Sequence, residues 1–392
     1  MQKTFDEVVL FARTGLNPRQ NFKLGQGNNN YITIKNIKNN ALVIDGNTDV
    51  VDDEAIKLIH KRSQIKKGDI LFASIGRMGD MYIIEEEPNG WDINESVFAF
   101  TLDTNIVRQK YFYYIFKVKS TVDYLVSNSS GSTFKSIKMN QLKKMVFEIP
   151  TLEEQDKIVA TLDRVYNVVE MRKQELISLD NLIKARFVEM FGEPSTNPMK
   201  WDVTTVGDEC FYIKDGPHKS LPDIGKENGG HPFISVRNIV NGYIDFSTAK
   251  YISDEDYADA IKKCHPEKGD MLYSKGGTTG IAKLIDIDEE FANWVHVAVL
   301  KFDKSKLNGI FFENMLNGAY CYDQSQRFTK GIANRDLVLS AMAQIKMYRP
   351  PIEIQNQFAD FVHQVDKSKV VVKKALDQAQ LLFDSLMQEY FG

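Results

Sequence analysis

Gly276-Gly-Thr-Thr-Gly-Ile-Ala-Lys283 carries the glycines and the lysine of a phosphate-binding loop. That loop needs Gly-Lys followed by Ser or Thr, so that the lysine meets the phosphates and the hydroxyl meets the metal. Here Lys283 follows Ala282, so the segment reads as a turn or hairpin. Asp69 and Asp270 each follow a glycine and open an apolar run, the place of a turn former, not of a general acid. The six histidines are dispersed, with no His-x-x-x-His pair. Cys210, Cys264 and Cys321 are too scattered for a zinc site or a disulfide framework. Glu85-Glu-Glu87 and Asp286–Glu290 read as solvated loops that would repel phosphate. Arg349-Pro-Pro351 lacks the Asn/Asp-Pro-Pro-aromatic signature of amino-methyltransferases, and no glycine-rich donor loop follows a strand. No nuclease or hydrolase constellation stands out. The sequence therefore assigns no catalytic residue, no metal ligand and no cofactor.

The elements that carry these residues form a series. At 392 residues the chain has room for two or three domains. Its 43% hydrophobic and 26% charged residues are an ordinary globular composition. No apolar run approaches the ~18–20 residues that cross a bilayer. The N-terminus lacks the apolar stretch of a secretory signal. The expected compartment is the reducing cytoplasm, with no membrane partner. A net charge of −4 means that binding to nucleic acid would need a local patch.

The chain repeats itself once. Pro150-Thr-Leu-Glu-Glu-Gln155 is matched by Pro350-Pro-Ile-Glu-Ile-Gln355, and Phe191-Gly192 by Phe391-Gly392, both at an offset of 200. Tyr31-Ile-Thr-Ile-Lys-Asn-Ile37 matches Phe233-Ile-Ser-Val-Arg-Asn-Ile239. Gly68-Asp-Ile-Leu-Phe-Ala-Ser74 matches Gly269-Asp-Met-Leu-Tyr-Ser-Lys275, followed by Gly76/Gly277 and Gly79/Gly280. Asp6-Glu7 aligns with Asp208-Glu209. An ordered series of this kind is the mark of a duplicated unit. The first globular part is slightly basic and the second slightly acidic.

The segments after Pro150 and Pro350 read as long helices. Leu162, Val169, Leu176, Ile183 and Met190 recur every seventh residue, as do Phe358, Val365, Val372, Ala379 and Leu386. That seam wants a second helix. Thr151-Leu-Glu-Glu154 is a capping box, and in the second copy Ile354 replaces its glutamate. Two such helices with a whole domain between them should pair antiparallel, each roughly 60 Å long. Short runs at Tyr31–Ile37, Ile70–Ser74, Met81–Ile84 and Val97–Leu102 read as strands. Their copies are Phe233–Ile239, Met271–Tyr273, Ile281–Ile285 and Val295–Phe302. Helices are expected near Arg108–Val118 and Ile310–Gly318. The fold class is thus mixed α/β (α+β), with an internal pseudo-twofold repeat. Similar globular domains at 1–149 and 193–349 alternate with helices at 150–192 and 350–392, which form an antiparallel coiled coil.

This ordered set resembles the specificity subunit of type I restriction-modification systems, over essentially the whole chain. The resemblance rests on the Pro-x-x-x-x-Gln helix starts, the Phe-Gly helix ends and the Gly-Asp-Ile/Met-Leu-Phe/Tyr strands. It implies two target recognition domains, each reading one half of a split, asymmetric site on double-stranded DNA. It implies a helix pair that sets the spacer and docks methyltransferase subunits, expected to be two. Those subunits would carry S-adenosylmethionine and the chemistry, and restriction subunits would join through them. The alternatives are the specificity protein of a system with a fused methyltransferase-nuclease, and, from another class, a two-lobed enzyme or scaffold on a coiled-coil stalk.

Bases are read by paired donors and acceptors, and phosphates by cations and hydroxyls. On that footing the candidates in the first domain are Lys35, Asn36, Ser74, Arg77, Ser129, Ser132, Lys135 and Lys138. In the second they are His218, Lys219, Arg237, Asn238, Ser274, Lys275 and Thr278, then Gln326, Arg327, Lys330, Asn334 and Arg335. The Lys/Arg-Asn pair, the Ser/Gly-rich turn after the Gly-Asp strand and the polar stretch before the helix recur in both copies. A basic residue is expected to end a strand at Lys35 and Arg237, with Asn36 and Asn238 equally suited to turns.

Overall fold

The computed structural model describes residues 1–38, 40–131, 134–332 and 335–392. It divides into two compact units. Unit 1 comprises Met1–Arg172 with Lys374–Gly392, and unit 2 comprises Lys173–Lys373. Each unit therefore takes part of both long helices, α1 (Leu152–Phe191) and α2 (Ile352–Phe391).

In unit 1 a four-stranded antiparallel sheet runs Val9–Thr14, Val97–Leu102, Ile70–Ala73, Met81–Ile83. Unit 2 repeats it as Cys210–Asp215, Val297–Phe302, Met271–Ser274, Ala282–Leu284. Even the edge-strand bulge recurs, leaving Leu10 and Phe211 exposed. A second, three-stranded sheet joins Val50–Val51, Asn29–Ile32 and Trp91–Ile93, the last pair parallel. Its copy joins Lys250–Ile252, His231–Ile234 and Ala292–Asn293. The helices near 108–118 and 310–318 form at Gln109–Ile115 and Gly309–Asn317.

Several expectations are corrected. The Asp6-Glu7 alignment is off by one, because Glu7 and Asp208 close matching capping boxes on Thr4 and Thr205. The strands expected through Ile37 and Ile239 stop at Ile32 and Ile234. Asn36 Oδ1 accepts the Thr33 N–H at 2.9 Å, and Asn238 Oδ1 accepts the Ser235 N–H at 2.8 Å. These side chains offer the backbone a turn in place of a ladder. Helices at Asp53–Ser63 and Asp254–Lys263 were not foreseen. Each is amphipathic over little more than its buried Ala55 and Ile59 or Tyr257 and Ala260, too few positions to mark a period.

The seams are buried within each unit. In unit 1, Leu162 packs with Met387 and Tyr114, flanked by Ile158, Phe383 and Leu386. In unit 2, Ile183, Phe187 and Phe191 pack with Phe358, Val362 and Val365, and Lys369 pairs with Asp180 at 2.7 Å. Early residues of α1 thus meet late residues of α2, and the reverse, which is antiparallel pairing. Val169 and Val372 are also buried, whereas Leu176 and Leu386 are only half-buried. The helix ends are core as well as seam: Phe311 and Phe312 share the cluster of Phe187 and Phe358.

The Pro-x-x-x-x-Gln motif has a structural cause. Gln155 is fully buried. Its Nε2 donates to the carbonyls of Ile106 and Pro150, and its Oε1 accepts the Arg108 N–H at 2.8 Å. Gln355 does the same with Lys306, Pro350 and Asn308. At the α1 start Thr151 and Glu154 complete the capping box, and the Thr151 bonds hold the Glu154 carboxyl below its usual range. Ile354 gives up that cap and packs into the core. Gln155→Leu should cost roughly 2–4 kcal/mol, because it strands a buried N–H and two carbonyls. Urea unfolding measures this. Adding Gln355→Leu should give a nearly additive loss, since the two share no partner.

Candidate nucleic-acid interface

In each unit a glycine turn and a polar loop are joined by backbone bonds. The Gly76 N–H donates to the Lys135 carbonyl at 3.0 Å, and the Gly277 N–H to the Arg335 carbonyl at 3.0 Å. Both glycines sit in the left-handed region, with φ of 70° and 69°, where a side chain is strained. Bridges Ile75–Ser136 and Ser130–Ser136 are matched by Gly276–Asp336 and Lys330–Asp336. The loop bases are therefore fixed to the sheet, and Lys135 and Arg335 are exposed at equivalent positions. This is a rigid scaffold presenting loops, the usual carrier of binding residues.

The structure gathers several sequence candidates at this junction. In unit 1, Arg77 donates from Nη2 to the Ile37 carbonyl at 2.7 Å, tying the Lys35 turn to the glycine turn. Arg77 also pairs with Asp80 at 3.2 Å and stays about half exposed, at 54% of its side chain. Lys35 and Lys138 are exposed. In unit 2, Thr278, Lys330 and Arg335 are exposed around the turn. His218 and Lys219 are exposed beside it, His218 lying 3.9 Å from Asp215. Gln326 is held by Arg335 and by the Thr279 carbonyl. Arg237 is exposed and donates to the Thr248 carbonyl.

Other candidates have their bonding capacity spent internally. The Asn36 amide also donates to the Val43 carbonyl and Thr48 Oγ1, and Asn238 to the Asp245 carbonyl and Thr248 Oγ1. Both are buried turn formers, and Lys35 and Arg237 lie in those turns instead of ending strands. Ser74 is buried with its hydroxyl on the Ser96 carbonyl, and Ser274 is buried under the Ile281 N–H. Ser129 donates to the Val126 carbonyl, just after a helix end. Arg327 lines a separate depression with Tyr320, Asp323 and Lys346. Ser132 and Asn334 lie outside the described residues.

Lys275 is the clearest correction. It is buried, 3.0 Å from Asp336 and 3.6 Å from Asp215, which also pairs with Lys263 at 3.0 Å. It fastens the loop to the sheet and does not face a ligand. Unit 1 has Thr14, Ser74 and Ser136 at the matching positions, so small hydroxyls stand where unit 2 has the ionic link. Sequence reasoning missed Asp215 and Asp336, and also Lys250 and Trp294, because none of them repeats between the copies.

Asp69 and Asp270 do hold turns. They accept the Lys66 and Glu267 N–H groups and pair with Arg13 at 2.8 Å and Lys301 at 2.5 Å. Burial raises the thiols of Cys210 and Cys321 to about 12 and that of Cys264 to about 11, so none is a nucleophile near neutral pH. Among the described residues no His/Cys/Asp/Glu group could hold a metal, and no helix is long and apolar enough to cross a membrane.

The type I restriction modification DNA specificity domain matches this chain twice, over residues 2–181 and 198–379. The chain belongs to that family. Among relatives, the type I restriction enzyme MjaIX specificity subunit of Methanocaldococcus jannaschii is 28% identical over 257 residues, which is 62% of this chain and 58% of that protein. A second protein of that organism, assigned to the MjaX enzyme as its specificity subunit, is 22% identical over 95% of this chain and 88% of its own length. The crystal structure of a type I restriction-modification S subunit from M. genitalium shares the fold, with a TM-score of 0.56 and 16% identity over 100% of this chain and 96% of that one. The two specificity domains of the family correspond to the two copies of the junction described above.

Lys135→Glu and Arg335→Glu should each weaken DNA binding without unfolding the protein. The slope of log affinity against log salt should fall by about 1 for each. Asn238→Ala should behave oppositely, lowering stability by roughly 1–3 kcal/mol and leaving that slope unchanged. Salt-dependent binding and thermal melting separate the two classes.

Proposed function

We propose that this chain is the non-catalytic DNA-reading subunit of a type I restriction-modification complex, each unit reading one half of a bipartite, asymmetric site on double-stranded DNA. The observation that carries this is the duplicated junction, one backbone frame with different side chains. Equal frames make both units readers, and unequal side chains make the half-sites differ. Phosphate contacts fall to the exposed cations Lys35, Arg77, Lys135 and Lys138 in unit 1 and Lys219, Arg237, Lys330 and Arg335 in unit 2, with the His218 ring as a hydrogen-bonding group beside Lys219. Thr278 and Gln326 sit on the same surface in unit 2.

The remaining roles follow the family. The paired helices set the spacer between half-sites and dock methyltransferase subunits, expected to be two. Those partners carry S-adenosylmethionine, and restriction subunits join through them. The complex works in the cytoplasm.

The test is methylation-site sequencing of DNA from cells expressing this chain with its methyltransferase partner. A split, asymmetric motif that vanishes without the chain is the expected result. Chain-independent methylation, with the complex assembled, would overturn the reading. Exchanging residues 1–148 for the matching domain of a relative should change one half-site only. Deleting about one heptad from either helix should change the spacer or abolish methylation.

A further inference from the structure

Unit 2 has a pocket beside its three-stranded sheet. It encloses about 290 Å³ between Leu221, Phe233 and Trp294, with Ser220, Ser235, Arg237 and Lys250 around them. That is near the lower end of small-ligand pockets. The indole of Trp294 stands edge to face with His296, centroids 4.7 Å apart. The His296 carbonyl accepts the Lys275 N–H at 2.8 Å, so the pocket wall adjoins the glycine turn of the junction. Lys219 leads directly into Ser220 on the other side. The Trp294 Nε1–H is buried without an acceptor among the described residues, and an unpaired buried donor wants an explanation.

The repeat supplies a control. The Asn94 N–H bonds the Ile32 carbonyl as the Trp294 N–H bonds that of Ile234, so Asn94 holds the Trp294 position. The Tyr31 N–H bonds the Asp49 carbonyl where Phe233 pairs with Lys250, so Asp49 replaces the cation. Tyr31 extends its hydroxyl to the Leu16 carbonyl at 2.7 Å and packs edge-on against Phe22, so its ring is tied down in unit 1. Burial, and then the Glu95 carboxylate beside it, raise the pKa of the Tyr31 hydroxyl. Unit 1 thus has a bonded tyrosine with acids beside it. Unit 2 has an open aromatic site with two cations. Asp223, a carboxylate near those cations, is engaged by the N–H groups of Tyr251 and Gly225.

An aromatic floor with a cationic rim suits a planar heterocycle joined to an anion. We propose that this pocket takes a single nucleotide displaced from the stack of the duplex, its base against Trp294 and its phosphate at Arg237 and Lys250. The proposal rests on the DNA-reading function and deepens it: unit 2 reads one position by extrusion, and unit 1 does not. Unstacking costs a few kcal/mol, least at weak steps, so the pocket adds selectivity that surface cations cannot.

The test uses the complete complex of this chain with its partner subunits. Duplexes bearing the sequenced site carry 2-aminopurine or pyrrolocytosine at each position of the half-site assigned to unit 2. One position other than the methylated adenine should brighten on binding. At saturating protein, Trp294→Ala should remove that signal and Trp294→Phe should keep most of it. The alanine variant should also bind roughly tenfold more weakly, the worth of one base–aromatic stack. Melting curves confirm that both variants fold. A footprint over the site with no bright position, or brightening that survives Trp294→Ala, overturns the pocket and leaves the DNA-reading function standing. Absence of any footprint overturns the function itself. Calorimetric titration with dAMP, dGMP, dCMP and dTMP separates the sources. Tight binding of one free mononucleotide, lost in Trp294→Ala and without a bright position, would assign the pocket to free nucleotide and overturn extrusion.

Discussion

Two buried carboxamides hold this protein's architecture in place. Gln155 and Gln355 each sit where a long helix leaves its globular part, and each satisfies two carbonyls and one N–H at zero exposure. Only a side chain with both a donor and an acceptor at that reach does this. A glutamate would lose the donor and bury a charge. With the helix start fastened, the direction of each helix within its unit is set. Its aromatic residues then fall into the core, as Phe358 does against Phe187 and Phe311. The helices therefore belong to the units they connect, and their ends cannot move without opening a core.

The same economy governs the binding surface. The Gly76–Lys135 and Gly277–Arg335 bonds use backbone alone, so they leave side chains free to differ. Unit 1 has small hydroxyls at this frame, Ser74 donating to the Ser96 carbonyl. Unit 2 closes it with Lys275 between Asp215 and Asp336. A buried cation is tolerated there because two carboxylates face it; removing either would leave charge uncompensated. A frame of this kind lets recognition change while stability is kept, provided the internal network changes as a set.

Much was legible in the chain itself. The repeat, the two seams and the main strands follow from spacing, because period and burial are linked wherever one face is apolar. The candidate surface was only half legible. Lys135 and Arg335 stand in the polar stretch before the helix, and both are exposed. Asn36, Asn238, Ser74, Ser274 and Lys275 looked the same by residue type, yet each is buried with its bonds already made. Residue type states what a side chain can bond, not whether the fold has already supplied the partner. Recurrence in both copies misled for the same reason: the Asn36 and Asn238 turns repeat because the frame needs them.

By itself, then, the sequence determined the duplicated plan, the antiparallel helix pair and the family, since these rest on periodicity and ordered motifs that need no partner to be recognised. The tertiary structure alone decided which polar groups remain free. Lys275 meets Asp336 across 61 positions and Lys263 meets Asp215 across 48, and no local pattern encodes such meetings. It also decided that Trp294, Arg237 and Lys250 line one open pocket while Tyr31, in the Phe233 position, bonds to the Leu16 carbonyl. The physical reason is that hydrogen-bond and charge capacity is used up by long-range contacts, and only the chain folded upon itself shows what is left over.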